Sequence, residues 1–267
     1  MTPAEITDQE MAAVAKDLRD TGTPFAIATV VRTIGTTSAK PGTKALLTAD
    51  GSIQQGWIGG GCVRSAVDKA VKRAILDRSP QFISLRPQEL LEEKNIQAGD
   101  EVEGVHFDRN GCPSKGSLDI YIEPVLPMPE LIVLGASPVA QSLTELSEQF
   151  QWSVRPLTPD DVLDPLNDGN RRMIVVSTQG KGDLVSLTQA LNADAEFIAF
   201  VGSKKKFKAL SVKLIKAGFS TGQIDKIQSP AGLSIDAVTT EEIALSIMAQ
   251  LTQIRRANQR LGGSQDV

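Results

Sequence analysis

Apolar residues follow two different patterns along the chain, and each pattern predicts a different kind of structure. In the first half, β-branched and alternating apolar runs predict strands, while apolar residues three and four positions apart predict helices. We expect strands over residues 25–34, 44–47, 54–58, 81–85, 102–107 and 117–125, and helices over residues 2–19 and 63–76. This mixture indicates an α+β domain.

In the second half, short apolar runs alternate with amphipathic stretches of helical length. Strands are expected over residues 131–134, 173–176 and 197–201, and helices over residues 183–191, 203–217, 240–256 and from Pro138 to about Phe150. Such alternation indicates βαβ units and a parallel sheet. The predicted fold class is therefore α/β: an N-terminal α+β domain with glycine-rich cysteine loops, and a C-terminal Rossmann-like parallel sheet.

Three prolines fall within six residues where the pattern changes, namely Pro124, Pro127 and Pro129. Because clustered prolines stiffen a chain and interrupt regular structure, they are typical of a linker. We place the domain boundary here and expect domains over residues 1–126 and 130–260.

Composition and charge exclude several classes of protein. The chain has 267 residues, 41% of them hydrophobic, and a net charge of −4, which does not indicate a general nucleic-acid-binding surface. No apolar run reaches the roughly 18–20 residues that span a bilayer, so no transmembrane segment is expected. The charged first twenty residues are unlike a secretory signal, and we expect a cytoplasmic protein.

Two cysteines and one histidine limit the chemistry further. A zinc site of four Cys and His ligands would need more of these residues, and no disulfide framework is indicated. The single histidine, His106, has no second histidine or serine nucleophile at a familiar spacing, so a structural role is favoured. Trp57 could cover a ligand or belong to the core. The two thiols, Cys62 and Cys112, are the main remaining candidates for site chemistry.

Cys62 follows three glycines, Gly59, Gly60 and Gly61, at a predicted transition from strand to helix. Unpaired N–H groups at a helix N-terminus attract anions and favour a thiolate over a thiol. This motif indicates an activated thiol or an anion-binding loop. The alternative is a tight turn in which the cysteine is an inert small residue.

Cys112 lies in a second glycine-bracketed segment, Asn110-Gly111-Cys112-Pro113-Ser114-Lys115-Gly116. Asn-Gly and Pro-Ser-Lys-Gly are turn sequences, so this thiol is expected on a loop, where Lys115 could lower its pKa. A buried, inert cysteine is the alternative. Two thiols in similar loops favour chemistry of soft ligands or sulfur.

The second domain contains an altered dinucleotide-binding motif. Gly135 follows a strand, but Ser137 replaces the second glycine of G-x-G-x-x-G/A and Pro138 follows it. Ordinary NAD binding is therefore not indicated. Loops with Thr178, Gly202, Ser203 and Lys204 follow the next strands, and at the carboxyl ends of parallel strands these residues, with Gly135, are expected to line a nucleotide-type site.

In combination, these residues resemble the xanthine dehydrogenase accessory proteins of the XdhC/CoxI type. The similarity covers most of the chain. It rests on FAIATVVRTIG at residues 25–35, PGTK at 41–44, GGGC at 59–62, the second cysteine with its glycines at 111–116, VGSKKK at 201–206, PAGLSI at 230–235 and EEIALSI at 241–247.

This resemblance implies a cytoplasmic maturation factor for a molybdenum hydroxylase, either xanthine or carbon monoxide dehydrogenase. Such a factor binds the molybdopterin-type molybdenum cofactor transiently, assists its sulfuration with a cysteine desulfurase and inserts it into the apo-enzyme. Cys62 and Cys112 would then handle sulfur or contact molybdenum or copper, with Gly59, Gly60 and Gly61 shaping the site. A homodimer is one expectation.

The chain departs from the common family pattern at Ser137-Pro138, where glycine and histidine are usual, and at Gln179, where a histidine is common. The Ala-Ser-Pro sequence most resembles the carbon monoxide dehydrogenase branch (CoxF-like).

Two other functions stay open. One is an oxidoreductase using a nicotinamide or flavin at Gly135, although acid–base groups are scarce; an adenine or flavin nucleotide is the cofactor expected at such a site. The other is a scaffold that only recruits a dehydrogenase; the resemblance favours a maturation chaperone over a stand-alone enzyme.

Overall fold

The chain divides near Pro127 in the computed structural model, which describes residues 3–166 and 170–257. One unit comprises Met1–Pro127 and the other Met128–Val267. Each unit has its own sheet and its own hydrophobic clusters.

The N-terminal unit is a mixed α/β structure. Its elements are α1 (Pro3–Asp20), β1 (Phe25–Ile34), β2 (Lys44–Thr48), β3 (Ile53–Gly56), α2 (Gly61–Asp77), β4 (Gln81–Arg86), α3 (Gln88–Glu93), β5 (Glu101–Val102), β6 (Val105–Arg109) and β7 (Ser117–Val125). The strands form one sheet in the order β3-β2-β1-β7-β4-β6-β5, in which β4 and β6 are parallel and the other pairs antiparallel.

Helix α2 covers one face of this sheet because its small and β-branched residues lie on one side. Val63, Val67 and Val71 are buried together with residues of β1, β4 and β7 that point to the same face. On the opposite face, α1 packs Met11 and Ala15 against β1 and β2. The helices thus hold β1 and β2 from both sides.

A charged group is buried among the central strands of the sheet, where β1 ends and β7 begins. Asp119 on β7 is 2% exposed, and its two carboxylate oxygens accept hydrogen bonds from Arg86 Nη2 at 2.6 Å and Arg32 Nε at 2.5 Å. Arg86 is itself buried, whereas most of the Arg32 side chain is in solvent. Three neighbouring strands are therefore tied together by one carboxylate.

The C-terminal unit is built from βαβ units. Its elements are β8 (Glu130–Leu134), α4 (Pro138–Glu148), β9 (Ser153–Leu157), β10 (Arg172–Val176), α5 (Asp183–Asn192), β11 (Phe197–Phe200), α6 (Lys204–Lys216), α7 (Thr221–Ile224), β12 (Ile227–Gln228) and α8 (Thr240–Ala257). Its five strands are all parallel and lie in the order β12-β11-β10-β8-β9.

This sheet is buried on both faces, which explains the continuous apolar runs of β8 and β10. One face packs against α4 and α8, and the other against α5 and α6. If β8 to β12 are numbered 1 to 5, the strand order in the sheet is 2-1-3-4-5. The topological switch point therefore lies between strands 1 and 3, which are β8 and β10. The predicted α/β class with a C-terminal Rossmann-like parallel sheet is confirmed.

Several elements differ from their sequence predictions. The strand predicted over residues 102–107 is a hairpin, β5 and β6, because Glu103 and Gly104 both have positive φ and form a two-residue turn. The edge strand β9 was not predicted, since Arg155 and Pro156 interrupt its apolar pattern. The short α3, α7 and β12 were also missed, and Thr2, the predicted start of α1, lies outside the described residues.

Within residues 3–166 and 170–257, no helix combines the length and low polarity that a bilayer-spanning segment requires.

Replacement of Asp119 by alanine should destabilise the N-terminal unit by about 3–5 kcal/mol, because the buried Arg86 loses its carboxylate. Urea unfolding followed by Trp57 fluorescence in a Trp152→Phe background would report this unit, since each unit contains one tryptophan. Arg32→Ala is the matched control, and because Arg32 is largely exposed it should cost less than about 1 kcal/mol. Equal losses in the two variants would contradict this assignment.

Candidate functional site

The chain turns sharply between β3 and α2, and Gly59 makes this turn possible. Gly59 has a φ of +136°, and a Cβ atom there would lie only 3.0 Å from the Val63 side chain. A larger residue would therefore be strained and would collide with the first turn of α2. The turn directs residues 60–62 to the surface, where all three are exposed.

Helix α2 begins without a side-chain cap, because its N-cap residue is Gly60. Its first backbone hydrogen bond runs from the N–H of Arg64 to the carbonyl of Gly60 at 3.0 Å. The preceding N–H groups, those of Gly61, Cys62 and Val63, have no acceptor within the helix. They form a local positive end of the helix dipole, and Cys62 lies within it.

The backbone conformation does not require glycine at positions 60 and 61. Neither has a positive φ, and a Cβ atom at either position would meet no atom within 4 Å. Glycine is an unfavourable residue in a helix, by up to about 1 kcal/mol relative to alanine. The absence of side chains here keeps the space beside the α2 N-terminus open.

The loop that carries Cys112 is held by Asn110, which is 5% exposed. The Asn110 side-chain amide donates to the Gly116 carbonyl at 2.6 Å, and its oxygen accepts from the Cys112 N–H at 3.1 Å. The Asn110 N–H donates to the Arg86 carbonyl at 2.7 Å. The loop is thereby attached to the strand end at which Arg86 binds Asp119.

The thiol of Cys112 accepts a hydrogen bond from Ser114, two residues further along the loop. The Ser114 hydroxyl donates to Cys112 Sγ at 3.3 Å, and this bond, together with the Ser114 backbone, holds the pKa of Cys112 below its ordinary value. Lys115, expected from the sequence to have this effect, instead makes an ion pair with Glu89 at 2.5 Å. The cause of the lowered pKa is thus a hydrogen bond.

The two thiols line one cavity of about 180 Å³, although they are fifty positions apart in the sequence. We call it the thiol cavity, and it is lined by Thr37, Ser38, Gly60, Gly61, Cys62, Val63, Asn110, Gly111, Cys112, Pro113, Ser114 and Leu118. Both cysteines are free and exposed. A Cβ atom at Gly111 would lie 3.4 Å from Cys62 Sγ, so this sulfur is close to the residue before Cys112.

Four polar residues of the thiol cavity were not singled out from the sequence as site residues: Thr37, Ser38, Asn110 and Ser114. Two sequence features could have indicated them: the hydroxyl residues that follow the turn at Gly35, and the Asn110-Gly111 turn. Without the order of the strands, however, nothing in the sequence places the loop after β1 beside the Cys112 loop.

Gly135 lies at the switch point of the C-terminal sheet, as its position after β8 predicts. Its φ is +117°, and a Cβ atom there would be 2.4 Å from the Ser177 carbonyl oxygen. Ser137 is buried, accepts from the Ala140 N–H at 3.1 Å and shares a 2.6 Å hydrogen bond with the Ser177 hydroxyl. Pro138, the next residue, has no N–H. The N-terminus of α4 therefore offers few donors to a phosphate.

In the loop between β10 and α5, a carboxylate of the chain lies at the helix N-terminus. Asp183, the first residue of α5, accepts from the Thr178 hydroxyl and from the Gly180 N–H, and makes an ion pair with Lys206 at 2.8 Å. Burial opposes ionisation of Asp183, but Lys206 and Thr178 outweigh it and keep its pKa below the ordinary value. A negative charge therefore lies where a phosphate would be expected.

The third predicted loop serves mainly to start α6. Ser203 caps this helix by accepting from the Lys206 N–H at 3.2 Å. Gly202 leaves room for the Phe200 ring, and Lys204 is exposed.

In the N-terminal unit, His106 contacts Arg73 and Glu101, and Trp57 is 45% exposed. Over the described residues, no group of three or more His, Cys, Asp or Glu side chains could hold a metal ion.

The fold and the site define an α/β protein in which an N-terminal unit carries a two-thiol cavity and a C-terminal unit is Rossmann-like. Two family models match this chain. One, described as the XdhC and CoxI family, matches residues 18–86, and the other, described as the XdhC Rossmann domain, matches residues 131–251. The chain belongs to the XdhC and CoxI family, as its motifs predict.

Individual relatives are distant. The chain is 23% identical over 263 residues to the uncharacterized protein YqeB of Escherichia coli (strain K12), an alignment that covers 90% of this chain and 45% of that protein. The chain thus spans less than half the length of this relative. A crystal structure described as a xanthine dehydrogenase from Bacillus halodurans is 19% identical, covers 95% of this chain and 97% of that chain, and gives a TM-score of 0.40.

Gly61→Ala should fill part of the thiol cavity without harming the fold. We expect unchanged or higher stability, by at most about 1 kcal/mol, because alanine favours the helix. Alkylation of Cys62 by iodoacetamide, measured in a Cys112→Ser background, should slow several-fold. Gly222→Ala is the control, since Gly222 is equally unconstrained but lies in α7. Unchanged alkylation in Gly61→Ala would show that this glycine does not keep the thiol accessible.

Ser114→Ala removes the hydroxyl that favours the Cys112 thiolate. The pKa of Cys112 should therefore rise towards 9.0, its ordinary value, and alkylation should require higher pH. The pH profile of iodoacetamide alkylation in a Cys62→Ser background gives this midpoint. Ser38→Ala, which removes another hydroxyl from the thiol cavity, should leave the midpoint unchanged. A profile for Ser114→Ala identical to its parent would refute the role of the hydroxyl.

Proposed function

We propose that the protein is an accessory factor for the maturation of a molybdenum hydroxylase, that is, a xanthine or carbon monoxide dehydrogenase. It binds the molybdopterin-type cofactor transiently, assists its sulfuration and passes it to the apo-enzyme. The observation that carries this proposal is the pair of exposed thiols in one cavity at an uncapped helix N-terminus. Membership of the XdhC and CoxI family supports it.

The chemistry of the thiol cavity suits a soft, anionic cargo. Thiolates are natural partners for molybdenum or copper and for the sulfur atoms bound to them. The N–H groups of Gly61, Cys62 and Val63, which have no acceptor within the helix, can donate to anionic oxygen atoms such as those of a phosphate. One cavity therefore offers both kinds of contact that a metal–dithiolene cofactor with a phosphate requires.

The size of the cavity supports transient binding. At about 180 Å³ it is smaller than the roughly 300–1,000 Å³ of sites that enclose a drug-sized ligand. It can therefore take the reactive end of the cofactor but not the whole molecule. Partial enclosure favours release, which a factor that hands its cargo to another protein needs.

The residues that line the cavity favour a chaperone over a stand-alone oxidoreductase. Among them, the titratable side chains are the two thiols, and no carboxylate, lysine or histidine contributes to the lining. General acid–base catalysis most often uses a histidine, carboxylate or lysine within hydrogen-bonding reach of the substrate. Sulfur handling needs only thiols.

An adenine or flavin nucleotide does not form part of this proposal. At the switch point of the C-terminal sheet, Ser137 already accepts from α4, and Asp183 places a negative charge at the N-terminus of α5. Both features disfavour a bound pyrophosphate. The partners that the proposal requires are an apo molybdenum hydroxylase and a cysteine desulfurase, and the carbon monoxide dehydrogenase branch stays a prediction.

The proposal predicts that cofactor retention depends on the thiols. Purified protein is mixed anaerobically with cofactor released from a molybdenum hydroxylase, and bound molybdenum is measured after gel filtration. The Cys62→Ser/Cys112→Ser variant should bind about tenfold more weakly or worse, equivalent to roughly 1.4 kcal/mol of lost contact energy.

Ser38→Ala provides a control, because it alters the same cavity without removing a thiol. Activation of an apo-hydroxylase by the loaded protein is the second readout. Equal retention and equal activation by the double cysteine variant and the parent would eliminate the thiols from the mechanism.

A further inference from the structure

A single soft ligand would need one thiol, yet the fold brings both cysteines of the chain to one cavity. We propose that Cys62 and Cys112 form a redox couple that reduces the outer sulfur of a persulfide to hydrosulfide. This inference rests on the proposed function in so far as the sulfur is destined for the cofactor. The substrate class is a persulfide, carried by a protein or by a small thiol.

In the first step, the Cys112 thiolate attacks the outer sulfur of the donor persulfide. A new bond forms between Cys112 Sγ and this sulfur, the donor S–S bond breaks and the donor leaves as a thiolate. We place Cys112 first because its thiol is exposed and accepts a hydrogen bond from the Ser114 hydroxyl at 3.3 Å, which keeps its pKa below the ordinary value.

In the second step, the Cys62 thiolate attacks Cys112 Sγ. The bond between Cys112 Sγ and the outer sulfur breaks, and that sulfur leaves with the electron pair as hydrosulfide. A Cys62–Cys112 disulfide remains, so the two thiols have supplied the two electrons. The N–H groups at the start of α2 can stabilise the departing anion, because the residues that carry them, Gly61, Cys62 and Val63, line the thiol cavity.

The product is the form of sulfur that a molybdenum centre needs. Exchange of an oxo ligand for a sulfido ligand transfers no electrons: hydrosulfide and one proton replace the oxygen, which leaves as water. A persulfide sulfur is two electrons too oxidised for this exchange. The couple must then be reset by an external dithiol, which reduces the Cys62–Cys112 disulfide to two thiols and becomes a disulfide itself.

The local geometry places Cys62 Sγ beside the loop that carries Cys112. Cys62 Sγ lies close to Gly111, which has no side chain to separate it from the next residue, Cys112. Cys112 Sγ is held in place by one hydrogen bond, from Ser114. Both sulfurs are exposed, so neither step requires a buried thiol to emerge.

The test uses the reduced full chain and one equivalent of glutathione persulfide, without added reductant. Intact-mass spectrometry reports the state of the protein, and a fluorescent bimane trap measures hydrosulfide. The wild-type chain should release about one hydrosulfide per molecule and lose the mass of two hydrogen atoms, the signature of a disulfide. No other cysteine is present to confuse the assignment.

The single variants separate the two steps. Cys62→Ser should gain the mass of one sulfur atom and hold it as a stable persulfide, with hydrosulfide release at least tenfold slower than wild type. Cys112→Ser should react several-fold more slowly with the persulfide. Cys62→Ser/Cys112→Ser gives the background of the reagent. Because both side chains are exposed, these substitutions should preserve the fold, which circular dichroism checks.

Two results would overturn the inference: a stable persulfide on the wild-type chain, or hydrosulfide release from either single variant at the wild-type rate. The assay contains no molybdenum, so it is independent of the cofactor-retention experiment. Retention of cofactor without hydrosulfide release would refute the redox couple and leave the proposed function in place. Hydrosulfide release without cofactor retention would support the couple and refute the proposed function.

Discussion

The buried carboxylate of Asp119 is the interaction on which the candidate site depends. It holds Arg32 at the end of β1 and Arg86 at the end of β4, and it lies near the start of β7. The loops that contain Thr37 and Cys112 leave the sheet beside these positions. Asn110 extends the same attachment, because its N–H is bonded to the Arg86 carbonyl. A charge pair in the interior is not a strong source of stability in general, but here it fixes the relative positions of three strands.

The helix N-termini of the two units differ in whether side chains of the chain bind their backbone N–H groups. In the C-terminal unit, Ser137 and Ser203 cap α4 and α6, and Asp183 brings a carboxylate to α5. These side chains satisfy the local donors and favour a packed, self-contained structure. In the N-terminal unit, α2 begins with Gly60 and Gly61 and has no such partner. The site chemistry is accordingly concentrated in the unit with the thiols.

The sequence predicted the elements best where burial and periodicity agree. The bounds of β1 and β7 match because both are long and apolar on the face towards α2. Edge strand β9 and the hairpin of β5 and β6 were missed, since neither has a continuous apolar pattern. The two thiols were singled out from their glycine-rich surroundings, but the sequence does not show which strands bring them to one cavity. The cavity results from pairing β7 with both β1 and β4, a long-range arrangement that no local pattern contains.

The composition of β9 has a consequence for the outer edge of the C-terminal sheet. An unprotected edge presents free N–H and C=O groups to which a strand of another molecule can bind. Pro156 removes one donor from this short strand, and Arg155, held by Glu130 and Asp164, adds charge. Natural sheets use both devices against unwanted strand addition. Assembly of several molecules into a continuous intermolecular sheet is therefore disfavoured along β9.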